Sequence, residues 1–170
     1  MWARRAGVDQ WVYAPLREVF GGRAKWCGAG GAPLDPKLLE FFRGANGPVY
    51  EGYGLTETTA PCSFTVPGEP FHQGSVGTAF PGFSLRIAED GEVQVKGTSV
   101  FPRYHKNEEA TEASFTEDGW YATGALGRID HHGFLSITGR TQELLTTAGG
   151  ANAPPGPLPA LIKPYAFVPP

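Results

Sequence analysis

The chain has 170 residues, 41% of them hydrophobic, and a formal net charge of −3 from 14 Lys and Arg against 17 Asp and Glu. That is enough apolar material for a sizeable core, and the acidic balance excludes a protein that binds nucleic acid mainly through charge. Two cysteines, Cys27 and Cys62, exclude a disulfide framework and a Cys-rich zinc site. No apolar run approaches the roughly 18 residues of a transmembrane segment. Asp9, Gln10 and Arg17 follow the Arg4-Arg5 pair where a signal peptide would place its apolar stretch. The sequence therefore reads as that of a soluble, cytoplasmic protein.

At the front, Val12, Leu16, Val19 and Phe20 are spaced for one helix face, which Pro15 interrupts and Gly21-Gly22 ends. Lys25-Trp26-Cys27 reads as a short buried strand running into the turn Gly28 to Pro33. Asp35 as N-cap, Pro36 at the first helical position and Gly44 past the end mark a helix with Leu38, Leu39, Phe41 and Phe42 as its apolar stripe. Val49-Tyr50 is a further short strand. From residue 74 the pattern becomes β. Phe83, Leu85 and Ile87 alternate with polar positions, Asp90-Gly91 supplies the turn, and Val93 and Val95 return. Asn107 caps a short helix to about Ala113, and a second hairpin runs from Leu126 to Ile129 and back along Phe134 to Thr138. Seven of the 16 prolines fall in the last 17 residues, which therefore cannot form a regular helix or central strand.

The segment Tyr53-Gly54-Leu55-Thr56-Glu57-Thr58-Thr59 concentrates backbone access, three hydroxyls and a carboxylate. Glycine lets a ligand approach the main chain, hydroxyls donate to phosphate oxygens, and a carboxylate suits Mg²⁺, which prefers hard oxygen ligands. On spacing alone the plainer account, a polar strand-to-loop connection whose Thr-Glu pair starts a helix, is the stronger one. Elsewhere the plain readings also hold. His131 and His132 sit in a solvated turn, His72 and His105 on the surface, Cys27 beside Trp26 in the core. Cys62 has no base at motif spacing, and Trp120 and Tyr121 pack at the edge of a β-subdomain.

The same segment resembles the central signature of the AMP-forming acyl-CoA synthetases, members of the adenylate-forming superfamily. Gly30-Gly31-Ala32-Pro33-Leu34 is similar to the upstream adenine-contacting turn, and Gly119-Trp120-Tyr121-Ala122-Thr123-Gly124 with Leu126-Gly127 to the ribose-binding motif. Ile137-Thr138-Gly139-Arg140 and Glu143-Leu144-Leu145, continued by Thr147-Ala148-Gly149-Gly150, Asn152 and Pro154, resemble the hinge. The Phe101 to Thr111 run resembles the acyl-CoA synthetase branch, and the Thr147 to Pro155 ending leans towards long-chain fatty-acid activators.

The resemblance implies an α/β fold. Part of the large N-terminal domain would be present, a mixed α/β segment followed by an antiparallel β-subdomain, incomplete. Residues 1–140 would be a partial AMP-binding (adenylation) domain, and residues 141–170 the hinge and the start of a truncated C-terminal region with a Pro-rich end. The implied activity is ATP-dependent conversion of a long-chain fatty acid to acyl-adenylate and then acyl-CoA, with Mg²⁺ and with coenzyme A as co-substrate. The implied partners are these small molecules, not nucleic acid, and the parent enzyme could touch a membrane peripherally. The resemblance assigns Gly31, Ala32 and Pro33 to one side of the adenine and Gly52 and Tyr53 to the other. Gly54 and Leu55 continue that site, and the Gly52 to Gly54 backbone also edges the acyl channel. Thr56 would donate to the α-phosphate, Glu57 would hold Mg²⁺, and Arg140 would bind the ribose hydroxyls.

The departures from the family pattern are as specific. Ala125 stands where the family has an Asp that accepts both ribose hydroxyls. Nothing in residues 1–25 resembles the family's phosphate loop, and Lys163 lies in no context matching its C-terminal lysine. The expectation is a fragment of the middle of a longer enzyme, with a catalytically inactive remnant that keeps a nucleotide- or acyl-binding fold as the alternative.

Overall fold

A computed structural model of the chain describes residues 9–45, 47, 49–68, 72–143, 145–146 and 152–153. Leu144, the Thr147 to Gly150 run and the Pro-rich end from Pro154 lie outside the described residues. A wide turn over Asp9–Tyr13 leads into helix α1 (Ala14–Glu18). Strand β1 (Cys27–Ala29) begins later than Lys25, and Trp26 is 59% exposed instead of buried. Helix α2 (Pro36–Gly44) starts where its punctuation dictates, with Asp35 Oδ1 accepting from Lys37 N at 2.8 Å. Its apolar stripe is only partly used. Leu39 is buried, while Leu38 and Phe41 are exposed.

Strands β2 (Val49–Leu55), β3 (Ala60–Phe64) and β4 (Thr78–Ala79) complete a first sheet in the order β1-β2-β3-β4, with β1 parallel to β2 and the remaining pairs antiparallel. β3 was not expected. Its Ala60-Pro61 start obscures the pattern, and its buried positions, Cys62 and Ser63, are adjacent instead of alternating. The second sheet is an antiparallel meander of β5 (Phe83–Ile87), β6 (Glu92–Gly97), β7 (Tyr121–Ile129) and β8 (Leu135–Arg140). Both expected hairpins are present, although β7 extends five residues upstream of Leu126. Between β6 and β7, helix α3 (Glu108–Ser114) is capped by Asn107 Oδ1, which accepts from Ala110 N at 3.1 Å. Two short strands, β9 (Leu145–Thr146) and β10 (Asn152–Ala153), pair antiparallel.

The core lies between the sheets. Cys62 of the first sheet packs with Val93, Val95, Ala125 and Leu135 of the second, and Tyr53, Val76, Leu85 and Ile137 close around them. A backbone seam fastens this contact. Val76 N donates to Leu135 O and Leu135 N to Gly77 O, both at 2.8 Å, while Ser75 Oγ donates to Leu135 O at 2.9 Å.

Gly77 shows what the seam demands. Its φ is +89°, and a β-carbon there would run into the Phe64 carbonyl group. Gly133, in the β7–β8 turn, has a φ of +87° with nothing near that position. Gly77→Ala is therefore expected to destabilise by about 3 kcal/mol or more, combining clash and backbone strain. Gly133→Ala should cost only about 1–2 kcal/mol. Chemical denaturation of both variants checks this, and equal losses would contradict it.

Candidate functional site

Glycines floor a cleft of about 540 Å³ where the turn after β1 meets β2 and β3. A β-carbon on Gly30 would stand 2.8 Å from Gly52 O, and one on Gly52 would stand 2.7 Å from Phe64 Cδ2. The two backbones and the Phe64 ring approach one another only because these positions lack side chains. Gly28, Gly31, Gly54, Leu55 and Thr56 also line the cleft. Its walls are largely apolar. Ala32 and Pro33 are exposed in the turn beyond Gly31 and do not line it.

Gly52 and Tyr53, expected to share one wall, face opposite sides of β2, as successive strand residues must. Tyr53 packs into the core beside Cys62. Its hydroxyl is buried and has no hydrogen-bond partner among the described residues. Thr123 lies close, but its Oγ1 donates to Val93 O at 2.7 Å and accepts from Ala125 N at 3.1 Å. Burial pushes Tyr53 up to about 12, and Arg140 and Glu92 are among the charges acting on it. The Cys62 thiol, pushed up to about 11 by burial, donates to Tyr53 O at 3.5 Å and has no thiolate character.

On this same side Ala125 is paired directly with Arg140 across β7 and β8. Ala125 is buried and Arg140 exposed at its strand's end. Glu92 Oε1 accepts from Gly124 N at 2.7 Å, holding the residue before Ala125. Nothing in the sequence connected Glu92 with this strand, because the contact spans 32 positions.

The two sides of β2 meet at its end, in the turn Thr56–Thr58. Thr58 Oγ1 accepts from Leu55 N at 2.9 Å and stands 3.0 Å from Leu55 O and 2.8 Å from Ala60 O, with one hydrogen to donate between them. Thr59 and Ala60 follow with φ of 59° and 108°, a strained pair of non-glycine residues next to the expected phosphate contact. Thr56 is exposed on the cleft rim, and Glu57 is half-buried with Oε1 accepting from Tyr104 Oη at 3.0 Å. Tyr121 Oη lies 3.5 Å behind Tyr104 Oη, and burial first, then its link to Tyr104 and the Glu57 charge, hold Tyr121 far above the usual phenol range.

Among the described residues no group of three or more His, Cys, Asp or Glu is arranged to hold a metal ion. A nucleotide's Mg²⁺ needs less, since one or two carboxylates suffice when phosphates supply the remaining oxygens. The Thr56 hydroxyl and Glu57 carboxylate form such a hard-oxygen pair. Among the described residues no helix is long and apolar enough to cross a membrane. His72 is not simply a surface residue, because its ring stacks on Phe134 with centroids 3.5 Å apart.

Residues 5–105 match the sequence profile of a family described as AMP-binding enzyme. The long-chain-fatty-acid–CoA ligase FadD15 of Mycobacterium bovis is 45% identical over 166 residues, 98% of this chain and 27% of that protein. The long-chain-fatty-acid–CoA ligase ACSBG2 of Gallus gallus is 38% identical over 160 residues, 91% of this chain and 21% of that protein. Among solved structures, O-succinylbenzoate coenzyme A synthetase (MenE) from Bacillus subtilis in complex with AMP aligns with a TM-score of 0.75 at 30% identity. That alignment covers 92% of this chain and 35% of that one. ATP-bound MatB from Rhodopseudomonas palustris gives 0.76 at 32% identity, over 91% of this chain and 32% of that one. The chain thus spans about a quarter of the length of the curated relatives it matches.

The Tyr53 hydroxyl, which has no hydrogen-bond partner among the described residues, gives a test of this geometry. Leaving a buried hydroxyl unsatisfied costs about 1–3 kcal/mol, so Tyr53→Phe is expected to raise stability by about 1 kcal/mol in urea denaturation. A loss of similar size would contradict the unpartnered state.

Proposed function

From the premise that the chain belongs to the AMP-binding enzyme family, we propose that it contributes the nucleotide and acyl sites of an ATP-dependent long-chain fatty-acid–CoA ligase. One observation supports this above the others: the two faces of β2 differ in chemistry and converge at Thr56 and Glu57. The apolar, glycine-floored cleft suits an alkyl chain. The opposite face, which carries Tyr53 and has the exposed Arg140 at its edge opposite Ala125, suits adenosine. A fatty-acid carboxylate and an α-phosphate would then meet at the end of the strand.

There a carboxylate oxygen would attack the α-phosphorus and pyrophosphate would leave. The coenzyme A sulfur would then attack the acyl carbonyl and release AMP. The protein's part in the first step is positioning and neutralisation of charge, not covalent catalysis. The Thr56 hydroxyl would donate to the α-phosphate. Glu57 would hold Mg²⁺, which supplies positive charge at the phosphate oxygens. Arg140 would offer its planar fork of donors to the vicinal ribose hydroxyls.

A second reading, a remnant that binds nucleotide or acyl group without turnover, is favoured by Ala125, whose methyl group cannot accept from the ribose. The expected result is AMP binding with palmitate-dependent pyrophosphate release well below about 1 s⁻¹, the low end of ordinary turnover. Release at or above that rate would contradict the weight given to Ala125. Absence of AMP binding would contradict the nucleotide site itself.

Restoring the carboxylate tests the ribose assignment. Ala125→Asp would place an acceptor opposite Arg140, and a hydrogen bond to a charged group is worth roughly 1.5–3 kcal/mol. AMP affinity is expected to rise about tenfold in calorimetric titration, with no gain for 2′,3′-dideoxy-AMP. An equal change for both nucleotides would contradict the assignment.

A further inference from the structure

The Glu57 carboxylate is gripped at one oxygen. Tyr104 Oη donates to Oε1 at 3.0 Å, and a phenol has a single hydrogen, so Oε2 is left outside that bond. The tyrosine that makes this bond is itself held at its ring and at its backbone. Its ring meets Phe101 edge-on, with centroids 4.6 Å apart, and Phe101 packs in turn against Tyr121 at 5.5 Å and Phe115 at 5.8 Å. Its backbone N donates to Thr111 Oγ1 at 3.0 Å, and Thr111 Oγ1 donates to Asn107 O at 2.7 Å, which ties Tyr104 to the first turns of α3. The main chain of Glu57 is held by the same loop, because Phe101 N donates to Glu57 O at 2.8 Å.

A glutamate's last torsion is soft, and an unheld carboxylate would sweep its two oxygens through a wide arc. Mg²⁺ tolerates little of that, since it demands near-ideal octahedral geometry. A charge-assisted hydrogen bond to one oxygen removes the freedom while leaving the other oxygen available. We propose that Tyr104 is a positioning residue for Glu57: by holding Oε1 it sets the carboxylate plane and presents Oε2 to the divalent cation that accompanies a nucleoside triphosphate. The inference rests on the reading of Glu57 as the Mg²⁺ ligand, and it assigns a function to a loop 47 residues away in sequence.

Tyr104→Phe isolates the bond, because the ring that packs on Phe101 is retained. The full chain is titrated calorimetrically with AMP in the absence of metal, and with ATP in saturating Mg²⁺ and in EDTA. The wild-type chain is expected to bind AMP and to bind ATP more tightly with Mg²⁺. In Tyr104→Phe the Mg²⁺-dependent gain should fall about tenfold, in line with loss of one charge-assisted hydrogen bond, with AMP affinity unchanged. In Glu57→Gln the gain should vanish. A gain that is unchanged in Tyr104→Phe but lost in Glu57→Gln overturns the positioning role alone. Equal losses for AMP and Mg²⁺-ATP in Tyr104→Phe also overturn it, since they mark a merely structural effect. A Mg²⁺ gain that survives Glu57→Gln, or no AMP binding by the wild-type chain, overturns the underlying site reading and the positioning role with it.

Discussion

Three hydrogen bonds tie the turn at the end of β2 to the loop that follows β6, and the rest of the site depends on them. Phe101 N donates to Glu57 O at 2.8 Å, Thr59 Oγ1 to Ser99 O at 2.9 Å, and Tyr104 Oη to Glu57 Oε1 at 3.0 Å. The first sheet supplies the carboxylate and the second supplies the groups that hold it. The strained backbone of Thr59 and Ala60 persists because these bonds and those of Thr58 over-determine it. A change in how the sheets pack would therefore be felt first at Thr56 and Glu57, before any ligand is present.

The packing that protects this turn is built from small, exact-fitting parts, not from a large core. Cys62, Val93, Val95 and Leu135 are fully buried, and Gly77 lets the chain pass against Phe64 to reach β8. Around the front, by contrast, Trp11, Val19 and Trp26 stand exposed at 80%, 82% and 59%. Thr58, in the turn itself, and Cys62 and Ser63, just beyond it, are among the most buried residues, which accords with a rigid platform for ligands that meet there.

Local signals were legible in the sequence. Asp35 and Pro36 announced α2, and Asp90-Gly91 announced the β5–β6 hairpin, because capping and turn chemistry act over a few residues. Motif order was enough for the family and for the α/β-then-antiparallel layout. Trp26 was misjudged because an aromatic beside a strand is buried only if something covers it, and that is not a local property. Gly52 and Tyr53 were paired by the resemblance at one side of the adenine, and what the motif does not display is that in the strand Gly52 lines the cleft while Tyr53 packs on the core. Glu92 at Gly124 and Tyr104 at Glu57 were invisible for a third reason: each pairing joins residues dozens of positions apart, set by sheet register and loop path.

The central claim is that β2 separates two ligands and brings their reacting ends together at Thr56. Amide NMR of the full chain, titrated separately with AMP and with a fatty acid, tests it most directly. The account predicts that AMP shifts Gly124, Ala125 and Arg140, that the fatty acid shifts Gly28, Gly52 and Phe64, and that both shift Thr56. Both ligands moving one common set of residues, or neither moving Thr56, would contradict it.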